Sequence, residues 1–246
     1  MRDKPFAVSA VDEIRAAVEP FHWGYAQTDS VRIDAHWRER CAISPALFNG
    51  AVLMMHRWES VTEGARKILR TGHFVTEFKS FLAWRSFGFP DASVRNCFAM
   101  AALQSADGAF ILGVMGDHTS SAGQIYFPAG TPDPGDIVGD RLDLDGSALR
   151  ELEEETGLDP GWLSVQPGWS VIDAGPRLGC MKIMRSHEDA ASLSARITGW
   201  LAVQDMPELS GVHIVRRRAD ILRARMPDFM IDWLEAMLPA EPTQPG

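Results

Sequence analysis

Apolar residues recur along this chain at two periods, and the switches between them predict its elements. Ala51-Val52-Leu53-Met54-Met55 is a continuous apolar run after the turn signal Phe48-Asn49-Gly50, and it predicts a buried strand. Ala65 to Leu69 predicts its neighbour, with Glu63-Gly64 at the turn between them. Phe74, Phe78, Phe81, Leu82 and Arg85 follow helical spacing, so a helix is expected over Thr76 to Ser86. Val11 to Val18 carries a weak helical pattern that stops before Pro20, and Arg38 to Leu47 shows no regular period. The first 90 residues therefore read as a β-β-α extension packed on a larger unit.

From residue 91 to about 240 the pattern changes. Cys97 to Leu103 and Ala109 to Met115 are apolar runs around Asp107-Gly108, a strong hairpin signal. A strand follows at Gln124 to Phe127, and a helix is expected over Ser147 to Thr156. Asp145 or Ser147 would cap its start and Gly157 would take the left-handed position at its end, with Pro160 beyond. Strands are expected at Trp169 to Asp173, Cys180 to Met184 and Val212 to Val215, with Gly175-Pro176 turning the first two. Helices are expected at Ala190 to Leu201 and Phe229 to Leu238. The proline-rich tail, residues 241–246, reads as loose. The pattern supports α/β or α+β without choosing a sheet order.

The densest chemistry lies in Arg150-Glu151-Leu152-Glu153-Glu154-Glu155-Thr156-Gly157-Leu158. On a helix Glu151, Glu154 and Glu155 fall within an arc of about 100°, with Leu149, Leu152 and Thr156 roughly opposite. Like charges at this spacing repel by about 0.2–0.5 kcal/mol per pair. They also crowd the helix half where the dipole disfavours anions. Such an arrangement calls for a counter-charge, and clustered carboxylates select hard cations such as Mg²⁺ or Mn²⁺. Taken alone, Glu153-Glu154-Glu155 would also suit a solvated surface.

The whole nonapeptide, Arg-Glu-apolar-x-Glu-Glu-x-Gly-apolar, resembles the end of the box that defines the Nudix hydrolases. Phe127-Pro128-Ala129-Gly130 is similar to the Phe-Pro-Gly-Gly turn of that family. The front of the box departs from the family. Gly130 and Arg150 are 20 positions apart where the family has 14, and the extra residues fall in the loop Thr131 to Asp136. Leu142 occupies the place of the first box glutamate. Asp143 beside it, with Asp136, Asp140 and Asp145 nearby, offers a replacement carboxylate.

The resemblance implies a Nudix-type α/β/α sandwich over residues 91–240, and Mg²⁺-dependent (or Mn²⁺-dependent) hydrolysis of the pyrophosphate bond in a nucleoside diphosphate linked to another group. It implies Glu154 and Glu155 as metal ligands, Glu151 as a third ligand or the base that orients water, and Arg150 as the cation holding one of these glutamates. It also implies a ligand at the Ala129 backbone carbonyl, with Gly130 permitting the close approach. A later acid would complete the site: Glu208, with Glu188 and Asp189 as competitors. Lys79 and Arg85 could reach phosphates, and His118 could touch substrate, although a solvated face is the default reading for the first two and a structural or exposed role for the third. The tryptophans, among them Trp23, Trp37 and Trp58, read first as core packing.

Trp37-Arg38, Leu47-Phe48-Asn49-Gly50 and Thr76-Glu77-Phe78-Lys79 are similar to the segment preceding the box in Nudix proteins that hydrolyse UDP-sugars. A nucleoside diphosphate sugar is therefore the expected substrate. Coenzyme A is the rival, but no arginine follows Ile111-Leu112-Gly113-Val114-Met115 until Arg141. Dinucleoside polyphosphates fit less well, because both tyrosines, Tyr25 and Tyr126, precede the box. Loss of the first box glutamate is compatible with a different class, a module of this fold that senses a nucleotide without cleaving it.

Composition narrows the setting. A net charge of −9 over 246 residues argues against a nucleic-acid backbone binder, and the short run Arg216-Arg217-Arg218 does not change that. Three separated cysteines, Cys41, Cys97 and Cys180, fit a reduced cytoplasmic protein rather than a disulfide framework or zinc site. Neither a signal peptide nor a membrane span is expected. A homodimer is compatible with the sequence and not specified by it.

Overall fold

The computed structural model describes residues 4–45, 47–119 and 121–240. The N-terminal part contains β1 (Ala7–Val11), β2 (Glu13–Val18), α1 (Gly24–Thr28), α2 (Ser30–Ile43), β3 (Ala51–Glu63), β4 (Arg66–Glu77) and α3 (Phe78–Ser86). There follow β5 (Asn96–Gln104), β6 (Phe110–Met115) and the short β7 (Ile125–Tyr126), β8 (Ile137–Val138) and β9 (Arg141–Leu142). The acidic helix is α4 (Leu144–Thr156). Beyond it lie β10 (Ser164–Val165), β11 (Trp169–Ala174), β12 (Arg177–Arg185), α5 (Ala190–Leu201), β13 (Leu209–Val215) and α6 (Asp228–Met237).

The strands form two sheets. The larger runs β1-β11-β12-β5-β6-β13, with β10 on β12 and β7 on β6; the smaller runs β3-β4-β2-β9-β8. Alternation along β5 shows how the larger one is covered. Ala99, Ala101 and Leu103 join Leu144, Ala148 and Leu152 of α4 and Leu193 and Ile197 of α5 in one core. Phe98, Met100 and Ala102 face the other way, into a core with Phe229, Met230, Trp233 and Leu234 of α6. A sheet buried on both faces by helices is an α/β/α sandwich. Each fully buried leucine or phenylalanine contributes roughly 1.5–3 kcal/mol. A third core, including Trp23, Phe74, Phe81 and Trp84, joins the N-terminal helices to β3 and β4. Trp23 and Trp84 are therefore packing residues there, and both indole N–H groups donate to Asp91.

Three expectations are corrected. Val11 to Val18, expected as helix, is strand over β2. Ile14, Ala16 and Val18 pack inward, whereas Glu13 and Arg15 pair with one another outside. That is a period of two, too short a run to separate from a helical one by apolar spacing. Arg38 to Leu47, expected as irregular, is largely the end of α2. Only Ile33 is buried on that helix, while Val31 and Ile43 are exposed, so no apolar stripe marks it. The cap of α4 is Asp143, whose carboxylate accepts from the Gly146 N–H at 2.9 Å, not Asp145 or Ser147. Asp145 lies 2.6 Å from Lys182 Nζ instead, and Ser147 is buried within the helix. Gly157 ends α4 with φ +67°, as expected.

The first strands are divided between the sheets. β1 pairs with β11 in the larger sheet, and β2 with β4 in the smaller. Asp12 marks the crossing, where its carboxylate accepts from the Lys67 N–H at 2.7 Å. No helix among the described residues is long and apolar enough to cross a membrane. The tail at 241–246 lies outside the described residues.

Candidate metal centre

α4 brings its acids to the loop that follows β7. Glu155 sits in the last turn and is 5% exposed; its Oε1 accepts from the Ala129 N–H at 3.1 Å, and its buried Oε2 has no partner. Glu151, one turn earlier, presses its carboxylate on Gly130. A Cβ at that glycine would overlap Glu151 Oε1, so any larger residue there would push the carboxylate aside. Glu154 is largely exposed beside them. The contact made by Ala129 is through its N–H, whereas the resemblance implied its carbonyl.

Arg150 is shared among three acids. Its guanidinium lies 2.9 Å from Glu151, 3.1 Å from Glu154 and 2.9 Å from Asp136. Asp136 is buried, comes from the inserted loop, and its other oxygen accepts from the Asp133 N–H at 3.1 Å. Among the aspartates near the missing box glutamate, Asp136 is thus the one that pairs with Arg150. Leu142 is core, Asp143 is the cap and Asp145 pairs with Lys182.

The charges are out of balance. Burial, then Glu208, raises the Glu155 carboxyl to about 9, although the Ala129 N–H opposes this. Burial raises Glu151 to about 7; Arg150 opposes it, while Glu154, Glu208 and Asp136 add to it. Burial works against the Arg150 charge, but Asp136, Glu151 and Glu154 outweigh it and hold its pKa above the ordinary value.

Glu208, just before β13, is exposed and acts electrostatically on Glu151, Glu155 and Tyr126; its carbonyl accepts from the Gly116 N–H at 2.8 Å. The competing acids have other uses. Glu188 pairs with Arg196 at 2.7 Å, and Asp189 caps α5 through the Ser192 N–H. Lys79 is tied to Asp34 at 2.8 Å. His118 is exposed and neighbours Gly116, on the Glu208 side.

Among the described residues no three His, Cys, Asp or Glu side chains are already gathered around one point as a metal shell. The donor set nevertheless fits a hard cation. Its members are carboxylates, one buried carboxylate oxygen is orphaned, and the acids raise one another's pKa with a single shared arginine among them.

A cavity of about 520 Å³ lies by β1 and the Gln166 to Ser170 turn and is lined by none of these glutamates. A smaller cleft of about 160 Å³ adjoins the acidic helix, since Ala129 and Gly130 form part of its wall. It also holds Arg85, Asn96, Phe98, Tyr126, Arg177 and Phe229. Of these, sequence reasoning had singled out only Arg85 as a substrate contact. Asn96 and Arg177 lie 81 positions apart, and Arg177 and Phe229 lie 52 apart, on three different elements of the sandwich, so no local pattern connects them.

No family model and no curated protein matches the sequence. Several solved structures resemble the fold at a distance. A Nudix hydrolase from M. smegmatis, RenU, is 15% identical, with 60% of this chain and 88% of that chain covered and a TM-score of 0.36. The MutT protein from Methanosarcina mazei Go1 is 17% identical over 58% and 92%, with a TM-score of 0.38. The NUDIX domain of Shewanella oneidensis NrtR, in complex with ADP ribose, is 16% identical over 57% and 84%, with a TM-score of 0.39. At these values the likeness carries no residue role and no substrate over to this chain.

Proposed function

We propose that this protein is a divalent-metal-dependent pyrophosphohydrolase of Nudix type, acting on a nucleoside diphosphate linked to a second group. The observation that carries the reading is the buried, half-partnered Glu155 carboxylate beside Glu151 and the Ala129-Gly130 turn. Burying a carboxylate without a counter-charge is costly, and structures retain such groups where a ligand completes them.

Glu155 and Glu151 would hold Mg²⁺ or Mn²⁺, with Glu154 and Glu208, whose charges both carboxyls feel, as the further acids. The metal supplies Lewis acidity toward phosphate oxygens and a bound water of lowered pKa. Arg150 keeps the Glu151 carboxylate in place through one arm and is itself held by Asp136 through another. Gly130 lets the loop backbone close on Glu151, which restricts its rotamers. Glu151 would alternatively be the base that orients the attacking water.

A nucleoside diphosphate sugar is the substrate we favour, on the strength of the segments preceding the box. The alternative, a nucleotide-sensing module, draws support from Leu142 in the place of an acid and from the absence of a gathered metal shell among the described residues. The two separate in one assay. UDP-glucose, ADP-ribose and coenzyme A are incubated with the protein with and without Mg²⁺, and the released nucleoside 5′-phosphate (adenosine 3′,5′-bisphosphate from coenzyme A) is followed by chromatography. Mg²⁺-dependent release that vanishes in Glu155→Gln is expected. Binding of one compound with no release from any would replace the enzyme by the sensor.

A further inference from the structure

We propose that the 160 Å³ cleft beside the Ala129-Gly130 turn receives the nucleoside end of the substrate, with Asn96 reading the edge of the base and Arg85 and Arg177 meeting the adjoining ribose phosphate. This deepens the proposed function and rests on it for the position of the diphosphate.

Continuity fixes the direction. Ala129 and Gly130 touch the acidic helix on one side and wall the cleft on the other, so a ligand spanning them sets its phosphates over α4 and one end in the cleft. Size restricts that end. The volume suits a single heterocycle rather than a whole nucleotide, whose other parts must lie outside it.

Charge is the second argument. The chain is strongly acidic, yet the cleft is lined by two arginines and no aspartate or glutamate. Arginines such as Arg15, Arg57, Arg70, Arg150 and Arg196 meet carboxylates. Arg85 has no carboxylate partner among the described residues. Its side chain is open to solvent at the cleft, yet the surrounding walls desolvate it and lower its pKa. An anion is the partner that such a guanidinium lacks.

The third argument is the planar, apolar character of the walls. Phe98 and Phe229 meet edge to face with centroids 5.7 Å apart, and the Arg177 guanidinium lies over the Phe229 ring at 5.1 Å. Asn96 Oδ1 is buried and has no partner. An unpaired amide oxygen in a cleft that aromatic rings also line matches the N–H groups on the edge of a nucleobase. The hexose end of a nucleotide sugar would ask for carboxylates to accept from its hydroxyls, and this cleft has none.

The test uses the full-length chain. UMP, AMP, GMP and CMP are titrated calorimetrically without metal into wild type, Arg85→Ala, Asn96→Ala and Glu155→Gln, and KM and kcat are measured on UDP-glucose and ADP-ribose with Mg²⁺. At least one monophosphate binds wild type, and Arg85→Ala and Asn96→Ala each weaken it about tenfold, the scale of one lost charged or buried hydrogen bond. The same variants raise KM about tenfold and leave kcat within about twofold, whereas Glu155→Gln keeps monophosphate binding and loses turnover. Arg85 is solvent-accessible, so its truncation tests the cleft even if Asn96→Ala does not fold. The inference is overturned if none of the four monophosphates binds wild type, or if affinity and KM are unchanged in Arg85→Ala. Monophosphate binding that Arg85→Ala weakens, without hydrolysis of any diphosphate by wild type, supports the cleft and sinks the enzyme reading. Hydrolysis with unaltered KM in Arg85→Ala sinks the cleft and leaves the enzyme reading standing.

Discussion

Two regions of this molecule gather glutamates, and they treat them in opposite ways. On the smaller sheet, Glu13, Glu19 and Glu63 project from β2, from the residue after it, and from β3. Each meets arginine: Arg15 and Arg66 for Glu13, Arg57 for Glu19, Arg15 and Arg70 for Glu63. Hydrogen bonds from these arginines hold all three carboxyls below their ordinary value. On α4, Glu151 and Glu155 are buried against a loop, share at most one arginine, and are pushed up to about 7 and about 9. The first arrangement is a surface ion ladder that is complete as it stands. The second lacks positive charge. A protein tolerates such a deficit where a ligand supplies the missing charge, and perturbed carboxyls of this kind mark functional sites more often than structural ones.

Swapping carboxylate for amide in each region should break the symmetry most sharply. Glu155→Gln retains an oxygen for the Ala129 N–H and the same shape, so folding survives. Its metal-dependent turnover is expected to fall by more than about 100-fold, since even partners one step removed from a metal are worth about 10–100-fold. Glu63→Gln, on the ion ladder, should leave turnover unchanged. Equal losses in both would mean that the deficit on α4 has no connection with chemistry.

A steric version of the contrast comes next in size. A Cβ at Gly130 would stand 2.3 Å from Glu151 Oε1, and a Cβ at Gly72 would stand 2.2 Å from Glu19 Oε1. Both substitutions displace a glutamate by the same means. Gly130→Ala is expected to lower kcat about 10–100-fold, while Gly72→Ala lowers the melting temperature and leaves kcat per folded molecule as it was. Thermal unfolding and steady-state kinetics on the two purified variants decide it.

How far these regions were legible in the sequence differs in the same way. The acidic helix, its end at Gly157 and the neighbouring turn are contiguous in the chain, and local spacing exposes them. The hairpins around Gly64 and Gly108 are also local, and both form where the turn residues place them. What escaped is non-local. Asp136 reaches Arg150 through an inserted loop whose path no spacing rule supplies. Arg177 and Asn96 become wall partners only because β12 lies beside β5 in parallel, a neighbour relation that periodicity does not encode. β2 escaped because six residues with mixed charge fit either period, and tertiary pairing with β4 decides between them. α2 escaped because a helix with one buried residue has no stripe to read.

Titration gives a third comparison. For Glu151 and Glu155 the folded pKa lies above the unfolded value near 4.5, so the native state binds more protons. Their contribution to stability is fully present below about 4.5 and is lost as pH rises through about 7 and about 9. The two titrate as a coupled unit, and the loss is expected to amount to several kcal/mol. Urea unfolding of metal-free protein from pH 5 to pH 9 should show this decline. It should be flatter in Glu155→Gln, and Mg²⁺ should restore stability at the alkaline end. A profile that is the same in Glu155→Gln would place the pH dependence elsewhere.

The smallest effect is the mirror image, on Glu19. Its carboxylate lies 3.1 Å from Arg57 and is about one third exposed, at 32%. Its folded pKa is lowered, first by the hydrogen bond from Arg57, so its stabilisation is present above about 4.5 and is lost as pH falls through the lowered value. Water and salt screen a pair this open, and Glu19→Gln should cost only about 0.5 kcal/mol in urea unfolding at pH 7. The cost should shrink further in 1 M salt, where the screening length drops to about 3 Å. Glu155→Gln at the same pH should shift stability the other way, because it removes a charge that the metal-free fold disfavours. If both amides move stability in the same direction at pH 7 without metal, the two glutamate groups are electrostatically alike, and the charge deficit assigned to α4 does not exist.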